Sequence, residues 1–417
     1  MKVRRVLAIV GVMAVAVAGA VATAAKVGEF GLDLAAMDRS VAPGDDFFRY
    51  VNGTWLKTTR IPEDVARFAE FGRLADVNAE RNHSILEKAA ASPTTPDERK
   101  VGDFYAGLID DKSREADGTR ALKPELDRIA AIATSADLAR AIAQVSRNWL
   151  RPLPGGAAPL PPSPINIGVG VDIRNPSRYL VSIGQGGLGL PDRDYFVVDD
   201  PAFAKARDAY KRHLASMFRL ASPGGGTTDA PARAARVYAL EERLANGHWT
   251  RAEQRDPEKT YNPMTRADLE AKAPGLDWTA FLDAAGFAAV PQVLVAQPSA
   301  IAAASLATRE VPLQDWKDYL AYRAIRAFAP FGPRAFVFEH FDFESRTLAG
   351  TPQMPEPWKT AAAQTDQAIG QAVGALYLAQ YFPPAARSKV EQMTGEIKTA
   401  MGRRIEALAW MAPETKA

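Results

Sequence analysis

The chain has 417 residues, of which 47% are apolar, 24% charged and 9% aromatic, the fractions of a globular protein rather than a disordered one. Lys and Arg number 51 against 49 Asp and Glu, with no basic block in the body of the chain, so no nucleic-acid partner is expected. The absence of cysteine excludes disulfides, thiol catalysis, cysteine-held zinc and iron–sulfur clusters, and leaves any metal site to Asp, Glu and four histidines.

At the N-terminus, Lys2, Arg4 and Arg5 precede an uncharged run from Val6 to Ala25, and Ala22-Thr23-Ala24 supplies the small-x-small pattern of a signal-peptidase site. Residues 1–24 are therefore predicted to be an export signal cleaved after Ala24, with a body of residues 25–417 bound for the periplasm or the medium. Without those three cations the mature chain carries 48 cationic against 49 acidic residues. A run of this length also just spans the ~30 Å of a bilayer core, so an uncleaved anchor is the alternative. If the signal is cleaved, no stable membrane span is expected.

Most of the body reads as amphipathic helix. Pro96 opens one at its first turn, with Asp97 and Glu98 suited to the helix dipole and Val101, Phe104, Tyr105 and Leu108 on one face. Another begins near Ser135 with Leu138, Ala141, Ile142 and Val145. The Pro-rich stretch 152–164 leads to Ile165, Ile167, Val169, Val171 and Ile173, which alternate with polar residues and glycine and predict a strand. Arg174-Asn175-Pro176-Ser177 is turn chemistry, and Tyr179 to Ile183 can return as the partner strand. Ser222-Pro223-Gly224-Gly225-Gly226 marks a second loop. A last long helix is predicted through Val390, Met393, Ile397, Met401, Ile405 and Leu408. The expected class is mainly α, a large multi-helix body with a small β-hairpin insertion.

Few motifs carry chemistry. Gly184-Gln185-Gly186-Gly187-Leu188-Gly189 has the letters of a dinucleotide phosphate loop, but Leu190-Pro191-Asp192-Arg193 follows as a turn where a helix would have to start, so the glycines read as structural. Glu80 and His83 form one Glu-x-x-His without the second such motif that a di-iron site needs, and His83 reads as a solvated or capping residue. In Glu339 to Glu344 the alternating apolar residues argue for a strand, which would hold His340 and Glu344 ~13 Å apart, too far for one ion. There is no H-E-x-x-H, G-x-S-x-G, S-x-x-K or Walker lysine loop, so no catalytic residue is assigned.

The segment Asp38-Arg39-Ser40-Val41-Ala42-Pro43-Gly44-Asp45-Asp46-Phe47-Phe48-Arg49-Tyr50-Val51-Asn52-Gly53-Thr54-Trp55-Leu56, followed by Ile61-Pro62, closely resembles the opening of the neprilysin family of gluzincin zinc metallopeptidases. Further matches follow in the family's order. These are Gly187-Leu188-Gly189-Leu190-Pro191-Asp192-Arg193-Asp194-Tyr195, Arg255-Asp256-Pro257 with Tyr261-Asn262, Asp277-Trp278, Phe343 with Leu348-Ala349-Gly350, and Trp358. Gly374-Ala375-Leu376-Tyr377 with Phe382, and Trp410-Met411 with Thr415-Lys416, complete the series. Physically, Pro43 to Asp46 reads as a turn capping a helix, and Trp55, Trp278, Trp358 and Trp410 as core anchors.

The resemblance implies a mostly helical enzyme of two lobes around a cavity that admits peptides. In the family, H-E-x-x-H, a later glutamate and a substrate-holding Asn-Ala-Phe-Tyr-like strand sit in a C-terminal domain beyond the position of Ala417. This chain is then similar to the N-terminal domain alone, with no zinc ligand of its own and no peptidase activity expected from it in isolation. Arg67 matches the arginine that binds a peptide's C-terminal carboxylate or backbone, a task suited to a guanidinium fork. The acidic residue and second arginine that accompany it in the neprilysin-like branch are replaced here by Gly72 and Ala75, and the usual Arg-Trp is Pro357-Trp358. Two readings follow: a portion completed by a missing or separate catalytic domain, which should expose an apolar patch around residues 385–411, or a stand-alone peptide-binding or regulatory module.

Overall fold

The computed structural model describes residues 33–147, 162–222 and 229–416. The predicted signal segment, most of the Pro-rich stretch and the glycine run 224–226 lie outside those residues. The chain divides into two compact units, Met1–Pro62 and Glu63–Ala417.

In the first unit Asp38 organises the backbone. Its carboxylate accepts from the Ser40 amide at 3.0 Å and from Lys57 Nζ at 2.6 Å, and these donors hold it at a pKa of about 2, Lys57 contributing most. Helix α1 (Phe47–Thr58) starts as the sequence predicts, with the Asp46 side chain accepting from the Arg49 amide at 2.9 Å. Gly53 of the Asn-Gly-Thr-Trp run lies so close to Asp38 that an added Cβ would stand 2.5 Å from the Asp38 Cβ.

The second unit opens with α2 (Glu70–Ala91) and α3 (Pro96–Ile109). Thr95 and Glu98 form a reciprocal capping box around Pro96. Gly102 permits α3 to lie against α2, since a Cβ there would overlap the Ala89 backbone. Val101 and Tyr105 of the predicted stripe are buried, packing with Leu86, Ala361, Ala362 and Val373, whereas Phe104 is exposed. Three helices follow: α4 (Asp111–Asp117), α5 (Lys123–Ala130) and α6 (Ser135–Arg147). Leu138, Ala141 and Ile142 of α6 are buried as read from the sequence.

The predicted hairpin is present as β1 (Ile165–Asp172) and β2 (Asn175–Gln185), antiparallel with Ile167 opposite Ile183 and Val169 opposite Val181. Its turn is tighter than expected, because Asn175-Pro176-Ser177 already belongs to β2. The chain continues through α7 (Asp194–Val197), α8 (Pro201–Ala221) and α9 (Ala230–Gly247), then β3 (Pro263–Thr265), α10 (Arg266–Lys272), α11 (Trp278–Ala285) and β4 (Gln292–Val295). The sheet order is β1-β2-β4-β3, with β4 parallel to β2. The hairpin is thus one edge of a four-stranded sheet.

Helices α12 (Pro298–Glu310), α13 (Leu313–Phe328) and α14 (Arg334–Phe341) complete the main core, whose largest buried side chains include Trp278, Trp316, Tyr210, Tyr319 and Tyr322. The expected strand at 339–344 is instead the end of α14 running into a π-helical segment, Asp342–Leu348. The wider π turn shifts the helical phase, so Phe341 and Phe343 both reach the core and imitate a period of two.

Helix α15 (Pro357–Tyr381) packs on α2 and α3 and is kinked at Ile369, where φ is −133° and ψ is 34°. Helix α16 (Pro384–Glu406) and the short α17 (Pro413–Lys416) end the described chain. Leu408 falls just past α16. Of the four tryptophans read as anchors, Trp278 is buried and donates from Nε1 to the Ala273 carbonyl at 2.8 Å. Trp55 and Trp358 are half-buried, while Trp410 is 77% exposed and is no core anchor among the described residues.

Candidate functional site: a charged groove between two helices

The loop before α2, the first half of α2 and the first half of α15 enclose a cavity of about 800 Å³. Its apolar lining includes Phe68, Phe71 and Trp358, and its charged lining is Arg67, Asp76, Glu80, Lys359 and Asp366. Such a mainly apolar cleft with a few charged groups is the usual form of a ligand site. Arg67, the one residue singled out from the sequence, is exposed at this cavity and makes no hydrogen bond or ion pair with any described residue. Gly72 and Ala75 line the same cavity, so the two side chains that accompany such an arginine in the resemblance are replaced by open space.

The walls are held by specific contacts. Lys359 Nζ donates to Asp64 Oδ2 at 2.5 Å, which raises the lysine pKa and ties the first turn of α15 to the loop before α2. The Gln353 amide donates to the Glu63 carbonyl at 2.9 Å. Trp358 stacks on His83 of α2, and His83 Nε2 lies 3.2 Å from Glu87 Oε1, so His83 is a half-buried joint rather than the solvated or capping residue expected. Farther along, Arg81 donates to Tyr377 Oη at 3.0 Å and Tyr377 donates to Asn78 Oδ1 at 2.7 Å. The tyrosine of Gly374-Ala375-Leu376-Tyr377 is therefore a clasp between α15 and α2.

Burial pushes the Asp366 and Asp76 carboxyls above their ordinary values, with nearby Lys359 opposing the shift at Asp76. Asn82 Oδ1, also at this cavity, is buried without a hydrogen-bond partner among the described residues. Sequence reasoning missed this set, although the spacing was present. Gly72, Ala75, Asp76 and Ala79 fall on one face of α2, and Trp358, Ala362 and Asp366 on one face of α15.

The glycine-rich motif lies elsewhere and is structural, as its sequence context argued. Gly187, at φ +83°, offers its carbonyl to Tyr319 Oη at 2.9 Å and to the Arg323 guanidinium. The Gly189 amide donates to Glu241 Oε2 at 2.7 Å, and Glu241 also accepts from Tyr210 and from Arg323 at 2.6 Å. A Cβ on Gly189 would overlap the Tyr210 hydroxyl. Burial raises the Glu241 carboxyl against the pull of Arg323. The Glu241–Arg323 ion pair is buried among the rings of Tyr210, Tyr319 and Tyr322.

The four histidines do not converge. His83 belongs to the Trp358 stack; His213 Nδ1 lies 2.9 Å from Glu339 Oε1; His248 is buried and His340 half-buried, each with a pKa lowered to about 4, chiefly by desolvation. Among the described residues no group of three or more His, Asp or Glu could hold a metal ion. The donor set of the described residues does not fit a zinc centre.

The sequence model for the N-terminal domain of peptidase family M13 matches residues 43–417. The chain belongs to peptidase family M13. Among M13 relatives it is 27% identical over 390 residues to endothelin-converting enzyme-like 1 of Rattus norvegicus, covering 91% of this chain and 49% of that protein. It is 26% identical over 401 residues to neprilysin-3 of Drosophila melanogaster, covering 92% and 50%. Of solved structures, the Mycobacterium tuberculosis zinc metalloprotease Zmp1 bound to an inhibitor superposes with a TM-score of 0.80 at 33% identity, over 92% of this chain and 57% of that one. PepO of Lactobacillus rhamnosis shares the fold, with a TM-score of 0.72 at 18% identity over 90% and 57%. The chain thus spans about half the length of the relatives it matches. The mainly helical, neprilysin-type fold expected from the sequence is the observed one.

Proposed function

We propose that this M13 chain is the N-terminal, cavity-forming portion of an exported zinc metalloendopeptidase that cleaves peptides, and that it is inactive alone. Zinc and the general base would reside in a C-terminal portion outside this chain, and residues 1–24 would direct export. The observation that carries this reading is α16. None of its residues is buried, and Val390, Met393, Ile397 and Met401 are 46%, 54%, 60% and 57% exposed along one stripe. An apolar stripe of that length is built to be covered, and a chain half as long as its relatives leaves the catalytic portion to cover it.

Within the groove, Arg67 would take the C-terminal carboxylate or backbone carbonyl of a peptide. Its freedom from any described partner suits it to a bidentate pair. Among the described residues no helix is long and apolar enough to cross a membrane. A second reading is a stand-alone peptide-binding or regulatory module, for which the groove at Arg67 would be the binding surface.

The test is hydrolysis of an internally quenched peptide by the purified chain with and without added Zn²⁺. No turnover above buffer is expected in either condition. Zinc-dependent turnover abolished by a chelator would overturn the assignment of chemistry to a separate portion.

A further inference from the structure

The groove carries more negative charge than its own residues balance. Lys359 is engaged by Asp64 at 2.5 Å, which leaves Arg67 as the uncommitted cation at the cavity among the described residues. Against it stand Asp76, Glu80 and Asp366, none of which has a hydrogen bond or ion pair with a described residue. Asp366 is the half-buried one of the three, whereas Asp76 and Glu80 are exposed at the rim.

The sequence around Asp366 denies it a local partner. On a helix a carboxylate finds its cation three or four residues away, but those positions are Ala362, Ala363, Ile369 and Gly370. The small residues also clear space. Ala362 and Ala363 line the cavity beside Asp366, and a Cβ on Gly370 would stand 3.3 Å from Asp366 Oδ1. A half-buried carboxylate without a cation is costly to its fold, and a cation arriving with the ligand would remove that cost. Phe68, Phe71 and Trp358 line the same cavity and suit the aliphatic stem of lysine or the flat face of arginine.

We propose that Asp366 is a specificity determinant: it receives the cationic side chain of a lysine or arginine in a peptide whose C-terminal carboxylate is held by Arg67, with Asp76 and Glu80 steering the cation inward. This rests on the peptide-binding reading of the groove. It adds a substrate class, peptides with a basic residue near the C-terminus.

The experiment is isothermal titration of the full chain, in the presence of a chelator, with N-acetylated Ala-Ala-Arg-Ala and the same peptide carrying norleucine in place of arginine. The arginine peptide is expected to bind at least tenfold more tightly. The isosteric Asp366→Asn change should abolish the preference for arginine over norleucine, with thermal melting as the control for folding. Arg67→Ala should weaken both peptides alike. Equal affinity of the two peptides for the unaltered chain would overturn the role of Asp366 while leaving that of Arg67 standing. If removing the acetyl group from the norleucine peptide restores the full gain, the cation is an α-ammonium and the side-chain assignment is wrong. If neither peptide binds, this inference and the reading beneath it both fall.

Discussion

The indole of Trp358 lies flat against the imidazole of His83, with ring centroids 4.1 Å apart and planes 8° from parallel. That stack joins α15 to α2 at the groove. Offset aromatic pairs contribute ~0.5–1.5 kcal/mol beyond burial. His83→Ala should therefore cost about 1 kcal/mol in a urea titration, and Trp358→Ala about 2–3 kcal/mol because it also empties the wall. Both changes should weaken peptide binding more than Phe104→Ala, which alters an exposed ring of α3 outside the cavity lining.

Gly189→Ala should be among the most damaging single changes. Its Cβ would collide with Tyr210, whose hydroxyl donates to buried Glu241, and moving that ring disturbs the Glu241–Arg323 pair. Breaking a buried pair costs about 3–5 kcal/mol. Gly374→Ala is the contrast: α15 has open space around it there, and removing a glycine from a helix interior should stabilise by about 0.5–1 kcal/mol. Thermal melts of the two variants should shift in opposite directions.

Acid should destabilise the fold through His340 and His248. Each has its pKa lowered from 6.5 to about 4 by burial, so between those values the unfolded chain binds more protons than the folded one. Their contribution is fully present above pH 6.5 and is lost as pH falls toward 4. At 1.36 kcal/mol per pKa unit, each contributes about 3 kcal/mol over that window. Urea titrations at pH 7 and pH 4.5 should show the loss, and His340→Gln should flatten the slope.

The double change Ile397→Glu with Met401→Glu should leave the stability of this chain within about 0.5 kcal/mol, because neither side chain is buried. It should lower binding of a hydrophobic dye. Unchanged dye fluorescence would remove the α16 stripe as the exposed apolar surface.

How much was legible in the sequence depended on how far apart the decisive residues lie. The period of two from Ile165 to Ile173 identified β1 by itself, whereas β3 and β4, three and four residues long, carry too few residues for any period to show. At Phe341 and Phe343 periodicity misled, because a π segment changes the helical phase while keeping both rings buried. His83 was misread because its partner, Trp358, is remote in the chain and only folding brings the two rings together. Arg67 was singled out through resemblance, and Asp366 was not read because a lone carboxylate on a helix acquires meaning only when folding shows that no cation pairs with it. The α16 stripe was legible throughout, since its spacing is intact and nothing among the described residues buries it.

Part of the proposed function is that Arg67 holds a peptide by its carboxyl end without zinc. It is tested most directly by calorimetric titration, in chelator, with N-acetylated Ala-Ala-Arg-Ala as the free acid and as the C-terminal amide. The expected result is binding of the acid, with a loss of tenfold or more on amidation and the same loss for the acid on Arg67→Ala. Equal affinity of acid and amide, or full binding by the Arg67→Ala chain, would contradict the claim.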